Sequence, residues 1–322
     1  MLISSGLILI GFLLLGAGAE LLVSGSSRLA LRLGITPLAI GLTIVAFGTS
    51  SPELAVSIES TVNDLSALAL GNVIGSNIAN IGLILGITAL VQPIKVQRSL
   101  VRMQIPIVIA CSALLGIMLV DGSIGLGNGL LLCLGLVLYL WASYRQSKTE
   151  FANAEIVDVA ELGLPDISTA NSSENILRNV MAVIIGLGLL IYGSQLFVDH
   201  AVIIARTLGI SEALIGLTLV AVGTSIPELA TSILAALRKQ SDIAIGNVLG
   251  SNIFNILCVL GVTALFGPIL AAQFSILDFV TLLLFVLILL PLAKSGFTLS
   301  RVEGALLLAG YAAYIAILSR QI

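Results

Sequence analysis

The sequence predicts an all-α integral membrane protein of ten transmembrane helices, set out as two inverted five-helix repeats. Three observations predict it. Of 322 residues, 58% are apolar and only 10% charged, with a mean hydropathy of +1.16; a soluble domain carries about 25% charged residues. Basic residues gather in alternate junctions between apolar runs. Two long stretches recur at one constant offset. Since a spanning helix takes about 20 apolar residues, the chain has room for roughly ten. The composition excludes a water-soluble enzyme and a disordered scaffold. With 14 basic against 17 acidic residues it also excludes a nucleic-acid binder, which needs a basic footprint.

Apolar runs bounded by Pro, Gly or charge place spans 1–10 at 3–32, 37–62, 66–91, 99–120, 124–144, 176–207, 212–237, 243–266, 275–293 and 301–319. Helices are the default, because backbone groups in lipid must be satisfied within the segment and the sequence has no run of short alternating strands. The first charge is Glu20, and the opening apolar stretch is too long for a signal-peptide core, so it reads as a retained span. Cys111, Cys133 and Cys258 lie in apolar runs without paired spacing and read as small buried hydrophobes. No cofactor and no protein partner is expected, and one chain in the bilayer suffices.

Orientation follows from the basic residues. Arg28 and Arg32; Lys95, Arg98 and Arg102; Arg145, Lys148 and Arg178; Arg238 and Lys239; and Lys294 and Arg301 occupy alternate junctions, leaving only Arg206 and Arg320 opposite. Basic junctions face the cytoplasm. Both termini are therefore expected outside a plasma (inner) membrane. The chain divides into a first repeat at 1–145, a short acidic cytoplasmic linker at 146–175 and an inverted second repeat at 176–322.

The repeat is explicit. GLTIVAFGTSSPELAVSI at 41–58 matches GLTLVAVGTSIPELATSI at 216–233 in 14 of 18 positions, an offset of 175. The same offset aligns GNVIGSNIAN at 71–80 with GNVLGSNIFN at 246–255, matching 8 of 10. Five spans is an odd number, so the second copy enters from the opposite face, as the basic residues independently require. Inverted repeats meeting at the midplane are a transporter architecture.

The most similar stretches are also the most polar ones inside the membrane. Glu53 and Glu228 sit mid-span, where an ionisable group costs several kcal/mol and marks a functional site by default. Each follows Gly-Thr-Ser-x-Pro. Pro52 lacks an N–H and its ring crowds the carbonyl at Gly48, so spans 2 and 7 are expected to kink or break beside the Thr49 and Ser50 hydroxyls. Asn72, Ser76, Asn77 and Asn80 form a helical stripe in span 3 that Asn247, Ser251, Asn252 and Asn255 repeat in span 8. Two GxxxG patterns, Gly71/Gly75 and Gly246/Gly250, allow close helix approach. Carboxylate, hydroxyl, carbonyl and amide oxygen together suit a hard cation such as calcium or sodium. Two carboxylates balance one calcium, or hold two or three sodium ions with a small net charge.

GTSSPEL and GTSIPEL, with GNVIGSN and GNVLGSN, resemble the signatures of the sodium/calcium exchanger family of calcium:cation antiporters. The resemblance spans nearly the whole chain. It implies broken helices 2, 3, 7 and 8 around a midplane ion site, with spans 1 and 6 sliding across that core. It implies Glu53 and Glu228 as shared acidic ligands. Thr49, Ser50, Ser76 and the Ala46 carbonyl would complete one sodium site, and Thr224, Ser225, Ser251 and the Ala221 carbonyl its mirror image. Asn80 and Asn255 would lie at the centre. Some relatives carry aspartate at the position of Asn255, so asparagine in both repeats argues against potassium co-transport. The proton-coupled branch carries a different motif, and the short linker cannot hold a calcium-sensing domain. Glu20 and Asp199 are possible access-path residues. Calcium/proton (or other divalent cation) exchange and a cation channel stay open as alternatives.

Overall fold

The computed structural model describes residues 2–154, 176–209, 221–271 and 276–320. Eight helices among these are long and apolar enough to cross a membrane: Leu2–Leu33, Ser66–Val91, Leu100–Leu119, Leu126–Ala154, Ile176–Thr207, Ser241–Phe266, Ile276–Lys294 and Arg301–Leu318. They are spans 1, 3, 4, 5, 6, 8, 9 and 10. Span 2 is a bent pair, Pro37–Thr49 and Ser51–Val62, meeting at 43°. Its seventh-span counterpart comprises the helical turn Ala221–Gly223 and the helix Ile226–Leu237; the expected start at 212 lies outside the described residues. Span 5 continues as helix to Ala154, nine residues into the expected linker at 146–175, whose remainder lies outside the described residues.

Local chemistry sets these elements. Thr36 caps span 2, its hydroxyl accepting from the Ala39 N–H, and Pro37 starts the helix where its missing N–H costs nothing. The bend falls at Ser50, because Pro52 must sit in the first turn of a new helix. Ser300 and Glu303 form a reciprocal capping box at the start of span 10. Spans 3 and 8 contain no proline, and there the expected break takes a milder form. Each stays continuous but widens into a π-helical turn, at Asn80–Leu85 and Asn255–Leu260, positions related by the repeat offset.

Spans 3 and 8 form the centre, with 78% and 89% of their apolar windows buried, against 17–44% for the other long spans. Two small antiparallel ribbons lock the repeats together at opposite ends. Ile94–Lys95 pairs with Thr298–Leu299, and Ser123–Ile124 pairs with Ile269–Leu270. The offset of 175 maps one ribbon onto the other, so each repeat lends a strand to both. The first ribbon carries Lys95 and adjoins Arg98, whose guanidinium lies 5.5 Å over the Phe297 ring.

Spans 1 and 6 run together along a glycine rail. A Cβ at Gly18 would come within 2.8 Å of the Gly186 carbonyl, and one at Gly11 within 2.9 Å of the Gly193 carbonyl. Gly11 and Gly18 map onto Gly186 and Gly193 under the repeat, so the close approach is built from both copies. Backbones this near pack by dispersion and make the two helices one body. Gly18→Val is expected to force them apart and cost about 1–3 kcal/mol, read as a lowered unfolding midpoint in detergent. Gly16→Val, where a Cβ meets nothing within 4 Å, should leave that midpoint unchanged.

Candidate ion site

The bend of span 2 turns Glu53 inward on the first turn of Ser51–Val62, and the matching helix start does the same for Glu228; both are fully buried. The serines that precede them reach across the molecule. Ser225 Oγ donates to Glu53 Oε1 at 3.0 Å, and Ser50 Oγ donates to Glu228 Oε1 at 3.3 Å. Each carboxylate is thus held by the serine three residues before the other, which brings both acids to one place. Ser76, from span 3, donates to Glu53 Oε1 at 3.4 Å.

A second layer fixes the backbone. Asn72 Nδ2 donates to the Glu53 carbonyl and to Ser57 Oγ; Asn247 Nδ2 donates to the Glu228 carbonyl and to Ser232 Oγ. These amides occupy carbonyls at the start of each half-helix, tying the broken spans to the continuous ones. Thr49 Oγ1 donates to Asn247 Oδ1 at 3.0 Å and lies 3.5 Å from Ser251 Oγ. The Ala46 carbonyl accepts from the Ser50 N–H and the Thr49 hydroxyl. Ala221 opens the turn Ala221–Gly223, and Ser194 on span 6 donates to the Gly223 carbonyl at 2.9 Å.

Five buried oxygens in this cluster have no hydrogen-bond partner among the described residues: Glu53 Oε2, Glu228 Oε2, Asn80 Oδ1, Asn255 Oδ1 and Thr224 Oγ1. A buried polar atom left unpaired costs about 1–3 kcal/mol, and a carboxylate oxygen costs more. Two carboxylates so close in a low-dielectric interior also repel each other. A cation removes both costs, and this all-oxygen set suits calcium or sodium. Among the described residues no group of three or more His, Cys, Asp or Glu could hold a metal, so a soft or zinc-type centre finds no donors there.

Eleven of the twelve residues expected at the site either join this hydrogen-bonded network or contribute an unpaired oxygen to it. For Ala46 it is the carbonyl that joins. Ala221 stands at the adjoining turn, and Thr224 supplies an unpaired hydroxyl. Asp199 is exposed on span 6. Glu20 is held elsewhere, its Oε2 2.6 Å from Arg238 Nη2. Ser57 and Ser232 were not anticipated, although their identity in both repeats was a usable signal. The second GxxxG does bring helices close: a Cβ at Gly250 would lie 2.7 Å from the Leu42 carbonyl. The residues that would meet the first one by repeat symmetry lie outside those described.

Comparison with known proteins points to one family. The family model for sodium/calcium exchanger proteins matches residues 3–145 and 179–320. A putative antiporter CaxA from Alkalimonas amylolytica is 37% identical over 319 residues, covering 98% of both chains. The sodium/calcium exchanger MaX1 from Methanosarcina acetivorans is 32% identical over 340 residues, covering 97% of both. A solved structure of the sodium–calcium exchanger NCX_Mj superposes with a TM-score of 0.82 at 32% identity, covering 98% of each chain. With both repeats matched and the inverted ten-helix fold shared, this chain belongs to the sodium/calcium exchanger family.

Proposed function

We propose that the chain is a secondary antiporter that exchanges sodium for calcium across the plasma membrane by alternating access. The observation that carries this reading is the pair of fully buried carboxylates, each with one oxygen unpaired, beside two unpaired amide oxygens. Two negative charges balance one calcium, or two to three sodium ions with little residual charge, so one site is affordable in low dielectric with either load. A site that is costly when empty favours movement only when loaded, and that condition couples the two fluxes. The relatives named as sodium/calcium exchangers support sodium as the counter-ion, and asparagine at position 255 argues against potassium.

The two ends of the molecule differ in a way that suits one state of such a cycle. Span 1 packs along Ile226–Leu237, covering Ala235 and Ala236, and its Glu20 pairs with Arg238. Among the described residues, span 6 does not pack comparably along the mirror helix Ser51–Val62. The repeat offset turns Glu20 and Arg238 into Gln195 and Asn63, which carry no charge. With the basic junctions cytoplasmic and both termini outside, this is a state closed toward the cytoplasm. Exchange of the two packings between mirror positions would open the other side.

Purified chain in vesicles should take up radiolabelled calcium when an outward sodium gradient is imposed. Uptake driven by a pH gradient without sodium would replace sodium by protons as the counter-ion, and saturation-free current would favour a channel. Glu53→Gln or Glu228→Gln leaves one buried carboxylate against a divalent ion and should weaken calcium binding by about 3 kcal/mol or more, roughly a hundredfold. Unchanged uptake in either variant would refute the site. Breaking a partly exposed ion pair costs the state that contains it about 0.2–1 kcal/mol. A cysteine placed at Ala235 should therefore react with an impermeant cytoplasmic thiol reagent up to about five-fold faster when Arg238→Gln is added.

A further inference from the structure

We infer that Asn77 and Asn252 are positioning residues: a circuit of four amides across the repeats aims the nitrogen of Asn80 and of Asn255 at protein, freeing their carbonyl oxygens for the transported ions. An amide side chain presents an oxygen or a nitrogen to a given neighbour, and only the oxygen attracts a cation. One contact settles which way Asn77 lies, and Asn255 through it. Asn77 Nδ2 donates to the Asn252 backbone carbonyl at 3.2 Å, and that carbonyl can only accept. Asn77 Oδ1 therefore faces the other way, where it accepts from Asn255 Nδ2 at 3.0 Å. With its nitrogen so engaged, Asn255 leaves Oδ1 buried and unpaired. On the mirror side Asn80 Nδ2 donates to Asn252 Oδ1 at 3.1 Å, leaving Asn80 Oδ1 likewise. All four side chains are essentially fully buried, so water does not compete for these bonds.

The circuit is not symmetric, and that makes it testable. Asn77 must both donate and accept, whereas Asn252 uses only its oxygen, its Nδ2 having no partner among the described residues. Asn77→Asp still offers Asn255 an acceptor but sets a carboxylate oxygen against the Asn252 carbonyl, and that repulsion displaces the side chain on which Asn255 is aligned. Asn252→Asp keeps the acceptor for Asn80.

The inference rests on the sodium/calcium reading, and two readouts keep their failures apart: sodium-driven calcium uptake, and direct calcium binding to the purified full-length chain. Absent wild-type uptake refutes the exchange reading, while the binding isotherms still judge the asparagines. Asn77→Ala should raise the calcium half-saturation about 10- to 100-fold, as loss of a residue orienting a metal ligand does, with a smaller change in maximal rate. Adding Asn255→Asp should restore most of that loss relative to Asn255→Asp alone, because a carboxylate presents oxygen on both faces. Asn77→Asp should be impaired more than Asn252→Asp. An unaltered half-saturation in Asn77→Ala, equal loss in the two aspartate variants, or no recovery with Asn255→Asp would overturn the proposal. If Asn77→Ala fails to fold, the aspartate pair decides alone.

Discussion

Two carboxylates buried side by side in a membrane protein constrain everything around them. Each needs hydrogen-bond donors, and their mutual repulsion needs a cation or a proton. Here the donors are serines placed three residues upstream of the opposite acid, Ser225 for Glu53 and Ser50 for Glu228. Neither repeat can satisfy its own glutamate in this way. The site exists only when the halves are together, which explains why the ribbons, the central spans and the glycine rail all join one repeat to the other.

The broken and the widened helices serve the same end by different means. A proline after Thr-Ser ends one helix and starts another, so Glu53 falls on a first turn with its backbone carbonyl held by Asn72. Spans 3 and 8 must instead stay continuous, since they bear most of the buried apolar packing. A π-helical turn shifts the register of side chains without opening the backbone to lipid. It begins at Asn80 and at Asn255, the two asparagines whose buried amide oxygens have no partner among the described residues.

Outside the central cluster the pseudo-symmetry is deliberately incomplete. Glycines at 11, 18, 186 and 193 preserve it, and so spans 1 and 6 can behave as one rod. Glu20 and Arg238 break it, because their repeat mates Gln195 and Asn63 are neutral. An exposed ion pair is worth about 0–1 kcal/mol. That is too little to lock a conformation and enough to bias one end of a near-balanced equilibrium.

Much of this was legible in the chain itself. Hydropathy placed every described span within a few residues, apart from the helical extension of span 5 to Ala154, where polar residues continue a helix that leaves the membrane. The offset of 175 singled out Glu53, Glu228 and the asparagine stripes, because polar residues kept in both copies inside lipid have few purposes besides binding. Partnership was not legible. That Ser50 serves Glu228, that Asn77 orients Asn255, and that Glu20 meets Arg238 are contacts between residues more than 170 positions apart. Periodicity and repetition describe each segment alone, so they determine which groups are buried and at what depth. Only the docking of the two halves decides which donor meets which acceptor, because that choice depends on distances no local pattern encodes.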